Sequence, residues 1–415
     1  MNILHIITSM DPKGGGTSES IRTLIPTLQR RGINNEVVCL DSPSADYVHK
    51  EAFKVHALGE WKGAWAYNIE LPKWLNVNLY RYDYVFVHGL WQYQSFITIR
   101  TILNYRRSNG LEYPKVYIMP HGMLDPYFQK ASGRRLKAIR NWLYWKVIES
   151  KTVNEADGIV FTCEKELHLA RLPFRPYQPK REINIGFGII EPPAYTTAMS
   201  EAFASKCPDL NNRPYILFLS RINEKKGVDL FINAYAKLIQ DPKNNQAELP
   251  VLVIAGPGID TPYGQYIQDL VYSNEGMKNR VFFPGMINGD AKWGALYGCD
   301  TFILPSHQEN FGIAVVEALA CAKPVLISNQ INICEEIERS GSGFVADNTT
   351  DGTYQLLETW HRLTESKRAS MAMTARTTFN DLFYIERCID RLMEKVMDGA
   401  SLNLNKDAVS IATSL

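Results

Sequence analysis

Residues 300–320 read DTFILPSHQENFGIAVVEALA. The short apolar run 300–304 predicts a buried strand, which the following proline and serine end. Residues 312–320 predict a helix that is apolar all round and therefore buried, with Glu317 as the one exception. Glu309 lies in the turn before this helix, where free backbone N–H groups and the helix dipole favour an anion. The stretch therefore predicts an anion cradle between two carboxylates, which would suit a phosphate and sugar hydroxyls.

Each carboxylate also has a structural explanation. Glu317 could pair with a core arginine or lysine, and Glu309 could be a helix N-cap or a solvated loop acid. Their joint position, after a strand end and before an apolar helix, favours the functional interpretation.

This stretch resembles the E-x7-E signature of the retaining glycosyltransferase family 4, which has the GT-B fold. The residues that match its usual pattern are Glu309, Phe311, Gly312, Glu317, Ala318, Ala320, Pro324 and Val325. Asn310 and Ala322 depart from it, since a small residue and a glycine are usual there. The resemblance implies that Glu309 contacts the transferred sugar and Glu317 the ribose diol. It also implies that the donor lies against Asn310, Phe311 and Gly312.

Length and charge set the broad class. A chain of 415 residues predicts two domains. The net charge of +1 hides an asymmetry, because residues 1–190 hold 25 Lys and Arg against 17 Asp and Glu. This favours an anionic partner for the N-terminal half, such as a membrane surface or a phosphorylated lipid. We find no nucleic-acid motif, and seven cysteines without C-x-x-C spacing argue against a disulfide framework or a zinc site.

The chain shows neither a signal peptide at its start nor an apolar run of membrane-spanning length. We therefore expect a cytoplasmic protein, soluble or peripheral to the inner face of the cytoplasmic membrane. Residues 129–151 predict a basic amphipathic helix that would touch such a membrane around 134–146. Its basic residues are Arg134, Arg135, Lys137, Arg140 and Lys146, and its apolar ones are Leu136, Ile139, Trp142, Leu143 and Trp145. Such a stripe is commonly a core face beside a solvated face, so a membrane or glycan contact stays open.

Three strand ends in the N-terminal half carry candidate residues. A strand over 2–8 leads into a glycine loop, where Gly15 and Gly16 would let the backbone approach the donor without a Cβ clash. The loop is not a dinucleotide fingerprint, because Glu19 occupies the third glycine position. His121 follows the strand 116–119, and its P-H-G segment resembles the family histidine that touches the donor sugar.

His88 follows the strand 84–87, and we consider it and Trp91 as acceptor contacts. A histidine at a strand end is more commonly a turn cap, so this assignment is the more speculative one.

In the C-terminal half, Arg221 and Lys226 follow a predicted strand at 215–219. Their spacing resembles the family's R-L-x-x-x-K-G, with Ser220 replacing the usual glycine. Departure of a nucleoside diphosphate leaves negative charge, which two cations and a helix N-terminus can stabilise in place of a metal. The chain has no D-x-D motif, so we expect no metal requirement and no cofactor.

The donor-binding prediction also includes Gly256, at the end of the strand 250–255, and the loop 284–288. Bases in this fold are usually held by backbone groups in that loop, here around Met286 and Ile287. The loop offers no carboxylate for guanine, so we expect uracil, although Asp260 could reach in from another loop.

Alternating strands and helices predict an α/β protein with parallel sheets. The resemblance implies the GT-B fold, with two Rossmann-like domains facing across a cleft. We expect an acceptor-binding domain at 1–195 and a nucleotide-sugar domain at 196–380. A C-terminal helix from about 380 would pack back on the first domain, before a poorly ordered tail at 400–415.

The expected activity is retaining transfer of a hexose from a nucleotide-sugar, such as UDP-glucose, to a glycan or lipid-linked glycan in polysaccharide biosynthesis. The alternatives are a nucleotide-sugar epimerase, a sugar phosphorylase and a non-catalytic sugar-binding protein.

Overall fold

The computed structural model describes residues 1–130 and 135–397, and the chain divides into two compact units. Unit 1 contains Met1–Gly188 and the residues from Ile385 onward, and unit 2 contains Ile189–Tyr384. These boundaries lie a few residues from the predicted ones. The predicted tail at 400–415 and Arg134 of the predicted basic helix lie outside the described residues.

Unit 1 is built on a seven-stranded parallel sheet. Its strands are β1 (Asn2–Ile6), β2 (Asn34–Cys39), β3 (Lys54–Ala57), β4 (Tyr84–His88), β5 (Lys115–Met119), β6 (Gly158–Phe161) and β7 (Glu182–Asn184). Its helices before residue 189 are α1 (Gly16–Arg30), α2 (Asp46–His49), α3 (Glu70–Asn78), α4 (Tyr93–Asn109), α5 (Tyr127–Lys130), α6 (Arg135–Tyr144), α7 (Ser150–Glu155) and α8 (Glu164–Ala170).

The strand order in this sheet is β3-β2-β1-β4-β5-β6-β7. The chain starts in the middle, extends to one side through β3, and then crosses over to β4 on the other side. The order thus reverses between β1 and β4, and the carboxyl ends of strands at such a point form a binding crevice in α/β folds. Strands β4, β5 and β6 are nearly continuous apolar runs, because both faces of a parallel sheet are covered.

Unit 2 repeats this plan with six parallel strands. They are β8 (Tyr215–Leu219), β9 (Val251–Ala255), β10 (Val281–Gly285), β11 (Thr301–Leu304), β12 (Val325–Ser328) and β13 (Gly343–Ala346). The helices are α9 (Thr197–Lys206), α10 (Val228–Gln240), α11 (Pro262–Tyr272), α12 (Gly289–Gly298), α13 (Ile313–Ala320), α14 (Cys334–Ser340), α15 (Thr350–His361) and α16 (Glu365–Thr378).

The strand order in unit 2 is β10-β9-β8-β11-β12-β13, so the reversal lies between β8 and β11. The predicted strand at 300–304 and the buried helix after it are β11 and α13. The prediction of an α/β protein with two parallel, Rossmann-like sheets is confirmed.

The last described helix, α17 (Ile385–Leu392), belongs to unit 1 although unit 2 precedes it in the chain. Ile385, Ile389 and Leu392 are buried. Glu386 forms a 2.6 Å ion pair with Arg31 at the end of α1, which fixes the outer face of the helix to unit 1.

The basic region after α5 folds differently from a simple core-facing helix. After α6, Trp145–Glu149 forms a π-helical turn that leads into α7. Trp145 is fully buried, but the other apolar residues of the predicted stripe are exposed: Leu136 (84%), Ile139 (59%), Trp142 (50%) and Leu143 (52%). Helix α6 therefore presents an apolar stripe to its surroundings. Within residues 1–130 and 135–397, no helix combines the length and the apolar character needed to cross a membrane.

Candidate active site

The residue pair at the centre of the site is brought together by the strand order of unit 2. Because β8 and β11 are parallel neighbours, the loops after their carboxyl ends meet. A short 3₁₀ turn, Glu224–Lys226, follows β8 and contacts the loop after β11. The backbone N–H of His307 and the hydroxyl of Ser306 both donate to the carbonyl of Lys225, at 2.8 and 2.9 Å.

Lys226 and Glu309, predicted separately to face the donor, form an ion pair in this crevice. The Lys226 side chain is mostly buried, and Glu309 is more accessible. A mostly buried lysine whose charge is held by one carboxylate is well placed to attract a further anion, because little water competes for it.

Two glycines let the backbones approach this closely. Gly227 has a φ of +66°, and a Cβ there would overlap the carbonyl oxygen of Pro305 at the end of β11. Gly256 has a φ of +143°, and a Cβ there would overlap the carbonyl oxygen of Ser220. Larger residues at either position would push apart the loops that carry the two predicted cations.

Arg221 lies in the same loop as Lys226, and it is exposed. Among the described residues it has no hydrogen-bond or ion-pair partner, and its neighbour Ile222 donates its N–H to the carbonyl of Pro257 at 2.8 Å. An arginine held by its backbone but with an unengaged guanidinium can bind a phosphate group in two-point fashion.

Glu317 projects from α13 and forms a 2.5 Å ion pair with Lys292 of helix α12. The sequence interpretation allowed a core cation as its partner but could not identify it. Both side chains are partly accessible, so the pair is not sealed inside the protein. The donor-contact role of Glu317 stays a prediction.

The remaining donor-side residues differ in what they expose. Phe311 is buried and packs edge-on against Phe383, with ring centroids 5.8 Å apart, so its side chain serves the core. Ile287 is also buried, whereas Met286 is 65% exposed. Asn310 accepts a 3.3 Å hydrogen bond from the Asn332 amide. Gly312 is the N-cap of helix α13 and has a φ of +82°.

In unit 1, Gly15 is the N-cap of helix α1 and Gly16 is its first residue, so the helix begins within the predicted glycine loop. Gly15 has a φ of +86°, and neither glycine has any atom within 4 Å of the position a Cβ would take. The space beside this loop is open to a ligand.

His121 is the outermost member of a chain of three histidines. It follows β5 with a φ of +50°, an uncommon conformation for a residue other than glycine. Its Nε2 lies 3.0 Å from Nδ1 of His88, and His88 Nε2 lies 3.0 Å from Nδ1 of His5. His5 Nε2 in turn lies 3.0 Å from Oδ1 of Asn35.

Asn35 sets the direction of every hydrogen bond in this row of three histidines. Its amide nitrogen donates to the carbonyl of Ile33, so Oδ1 faces His5 and can only accept. His5 Nε2 must therefore donate, which leaves its Nδ1 to accept from His88. The same step repeats at His121, whose Nε2 donates and whose Nδ1 carries a lone pair without a partner among the described residues.

Burial keeps the three histidines neutral, and this is required because each ring donates through Nε2 and keeps Nδ1 as an acceptor. Burial lowers the pKa of both His5 and His121 to about 4, and it lowers the pKa of His88 as well, with help from its two histidine neighbours.

The acceptor contact predicted for His88 stays a prediction, and its burial does not favour it. His88 is only 2% exposed, and both of its ring nitrogens are engaged by His5 and His121. Trp91 is partly exposed and lines a cavity.

The residues that sequence analysis missed are Asn35, His5, Glu149 and Lys292. None of them stands at a predicted strand end, and each acquires its partner from a distant part of the chain. No group of three or more His, Cys, Asp or Glu residues within 1–130 and 135–397 is arranged to hold a metal ion.

Comparison with known proteins finds a family that part of this chain resembles. Residues 201–377 match the family described as glycosyl transferases group 1. This segment contains the pair Lys226 and Glu309, Arg221, and helix α13 with Glu317. This segment is less than half of the chain, and it is similar to the group 1 glycosyltransferases.

Among the relatives of this chain is an uncharacterized glycosyltransferase of Methanocaldococcus jannaschii, 34% identical over 31% of this chain and 30% of its own. Another is the N,N'-diacetylbacillosaminyl-diphospho-undecaprenol alpha-1,3-N-acetylgalactosaminyltransferase of Campylobacter jejuni. It is 25% identical over 51% of this chain and 52% of its own. The matched segments thus span between about a third and about a half of these relatives.

Solved structures share the fold across nearly the whole of this chain. HepE of Anabaena in complex with UDP and glucose superposes with a TM-score of 0.70 at 16% identity, covering 95% of this chain and 99% of that one. WaaG, a glycosyltransferase involved in lipopolysaccharide biosynthesis, gives a TM-score of 0.60 at 15% identity, covering 95% and 100%. The fold is that of the GT-B glycosyltransferases.

Proposed function

We propose that this protein transfers a hexose from a UDP-hexose to a glycan or lipid-linked glycan, with retention of the anomeric configuration. The observation that carries the proposal is the crevice between β8 and β11. There Lys226 pairs with Glu309 and the guanidinium of Arg221 is accessible without a partner among the described residues. Two cations beside a sugar-facing carboxylate suit the diphosphate and the hexose of one donor molecule.

The proposed mechanism uses the departing diphosphate itself. The bond between the anomeric carbon and the phosphate oxygen breaks while an acceptor oxygen attacks the same face of the sugar. The acceptor proton passes to the leaving phosphate oxygen. Lys226 and Arg221 stabilise the charge that grows on the diphosphate, so the reaction requires no metal ion. In unit 2, Glu309 binds a hydroxyl group of the sugar and Glu317 binds the ribose. In unit 1, the Nδ1 acceptor of His121 suits a sugar hydroxyl.

The donor base in this proposal is uracil. The loop after β10 offers backbone groups at Met286 and Ile287 and no carboxylate before Asp290, which suits the single N–H and two carbonyls of uracil. HepE of Anabaena, with the same fold, is described in complex with UDP and with UDP-glucose, which supports the choice.

The proposed acceptor side includes a membrane. Helix α6 exposes an apolar stripe among Lys137, Arg140 and Lys146, a pattern typical of a helix lying on an anionic lipid surface. The Campylobacter relative's name describes an undecaprenol-linked acceptor, which supports a lipid-linked glycan here. The site of action would then be the inner face of the cytoplasmic membrane.

The test is competition binding and transfer in EDTA, comparing the wild type with Glu309→Gln and Glu317→Ala. We expect UDP-glucose to bind more tightly than GDP-mannose and transfer to survive the chelator. Glu309→Gln should abolish most transfer, because the sugar loses its carboxylate. Nucleotide affinity should be retained, because Lys226 and Arg221 still bind the diphosphate. Glu317→Ala should weaken UDP binding by about ten- to a hundred-fold, through loss of charge-assisted hydrogen bonds.

Glu335→Gln is the matched control, because Glu335 pairs with Arg339 on the surface of unit 2. Binding of GDP-mannose about ten-fold tighter than UDP-glucose, a difference of about 1.4 kcal/mol, would refute the uracil assignment. Loss of all transfer in EDTA with recovery in manganese would refute the metal-free mechanism. Phosphate-dependent cleavage of the donor would favour a phosphorylase. Conversion of the donor into its epimer would favour an epimerase, and donor binding without turnover would favour a sugar-binding protein.

A further inference from the structure

Unit 1 contains a cavity of about 360 Å³ that lies outside the donor site. Three aromatic side chains line it, Trp65, Trp91 and Tyr144, together with the polar side chains of Arg140 and Asn141. Its volume falls within the range of small-molecule sites, about 300–1,000 Å³, and such sites combine aromatic walls with a few polar groups.

Hydrogen bonds hold these aromatic rings in place. The indole N–H of Trp65 donates to the hydroxyl of Tyr144 at 2.6 Å, and the indole N–H of Trp91 donates to the carbonyl of Met123 at 3.2 Å. The Tyr144 ring lies 6.4 Å from Trp65 and 6.2 Å from Trp91, between ring centroids. The cavity therefore has rigid aromatic walls before any ligand arrives.

The backbone around the cavity carries two features that are common at functional sites. Trp91 has a φ of +73°, an unfavourable conformation for a bulky side chain. The π-helical turn Trp145–Glu149 follows Tyr144 directly.

A buried carboxyl group supports this region from inside. Glu149 is fully buried. It accepts hydrogen bonds from the backbone N–H of Trp91 at 3.3 Å and from the Ser95 hydroxyl at 3.2 Å. Burial raises the pKa of Glu149 to about 7. A buried carboxyl that holds a strained tryptophan is costly to keep in a purely structural role.

The cavity lies beside the candidate donor contact of unit 1. Trp91 follows β4 and His121 follows β5, which is the neighbouring strand. The Trp91 indole is bonded to Met123, two residues after His121. A group bound against Trp91 would thus lie at the same edge of the sheet as His121.

We propose that this cavity binds a sugar ring of the acceptor glycan. The C–H face of a pyranose stacks on aromatic rings, and its hydroxyl groups can bond the amide of Asn141. Arg140 provides a site for a phosphate or carboxylate next to that ring. The inference rests on the proposed function only in naming the sugar as part of the acceptor.

The test measures glycoside binding by saturation-transfer NMR, which needs neither donor nor turnover. The probes are methyl and octyl glycosides of glucose, galactose and N-acetylglucosamine. The variants are Trp65→Ala and Asn141→Ala, and the matched control is Trp61→Ala, an exposed tryptophan near Trp65 that does not line the cavity. Thermal unfolding of each variant verifies that the fold is retained.

We expect at least one glycoside to bind the wild type and Trp61→Ala equally. Trp65→Ala should weaken that binding by about ten-fold through loss of one stacking surface, and Asn141→Ala should weaken it less. Tighter binding of octyl than of methyl glycosides would assign the sugar to a lipid-linked acceptor. Equal binding of octyl and methyl glycosides would assign it to a free glycan. The proposal would be overturned if Trp65→Ala and Asn141→Ala both bind the glycosides as tightly as the wild type does. It would also be overturned if no probe binds the wild type.

Failure of this test is distinguishable from failure of the proposed function. Should transfer from UDP-glucose be absent while Trp65→Ala still loses glycoside binding, the sugar site stands and the transfer reaction is wrong. Should transfer occur with an unchanged acceptor KM in Trp65→Ala, the function stands and the acceptor does not use this cavity.

Discussion

At the scale of single residues, Asn35 controls a histidine three hydrogen bonds away. Its carbonyl oxygen fixes the tautomer of His5, which fixes that of His88 and then that of His121. All three imidazoles are neutral because burial lowers each pKa. His121 thus presents Nδ1 as an acceptor, which suits a sugar hydroxyl and not an anion.

Replacing Asn35 by leucine should remove the acceptor that fixes the tautomers of the three histidines. The N–H of His5 would then be buried without an acceptor, which costs about 1–3 kcal/mol of unfolding free energy. Nitrogen-15 NMR of histidine-labelled protein should show Nε2–H tautomers for all three rings in the wild type and mixed tautomers in Asn35→Leu. The control is Asn34→Leu, an exposed neighbour on the same strand. An Nδ1–H tautomer at His121 in the wild type would contradict the argument.

At the scale of secondary-structure elements, helix α6 has two working faces. Arg140, Asn141 and Tyr144 line the aromatic cavity, whereas Leu136 and Ile139 are exposed to the surroundings. Exposed apolar side chains at this spacing cost solubility unless something covers them, and the neighbouring lysines and arginine favour an anionic surface.

The double variant Leu136→Gln, Ile139→Gln should therefore bind membranes more weakly. We expect at least a ten-fold loss of binding to vesicles of phosphatidylcholine and phosphatidylglycerol in a flotation assay, because two apolar side chains no longer insert. The control is Val77→Gln on helix α3, where the valine is 70% exposed but lies outside the basic helix. Equal binding by the double variant and the control would remove α6 from the membrane contact.

At the scale of the whole molecule, the chain returns to unit 1 after completing unit 2. The Tyr84 hydroxyl of β4 donates to the carbonyl of Met397 at 3.3 Å, and Arg181 donates to the carbonyl of Lys395 at 2.6 Å. The core of unit 1 is therefore completed by residues that follow unit 2 in the chain.

A chain that ends at Tyr384 should have an unstable unit 1. Removing the buried Ile385, Ile389 and Leu392 forfeits about 5 kcal/mol or more of apolar burial, comparable with the whole stability of a domain. Hydrogen–deuterium exchange should become fast in β1 and β4 but stay slow in β8 and β11. A chain that ends at Met397 is the control, since it keeps these contacts. Unchanged exchange in β1 and β4 of the shorter chain would contradict the prediction.

The sequence by itself determined the two parallel sheets and where most of the candidate site residues of unit 2 lie. Short apolar runs alternate with amphipathic segments, and that local periodicity is sufficient to indicate buried parallel strands. Arg221, Lys226 and Glu309 each follow such a run within a few residues, so their place at carboxyl strand ends could be predicted.

Only the tertiary structure decided which of these residues meet. Lys226 and Glu309 are 83 positions apart, and they pair because β11 inserts beside β8 although β9 and β10 come between them in the chain. Periodicity encodes burial but not strand order, so this contact, the Lys292–Glu317 pair and the histidine chain could not be predicted. The exposure of the apolar stripe on α6 could not be predicted either. Its apolar spacing is equally compatible with a buried face, and only the tertiary structure shows that no other element covers it.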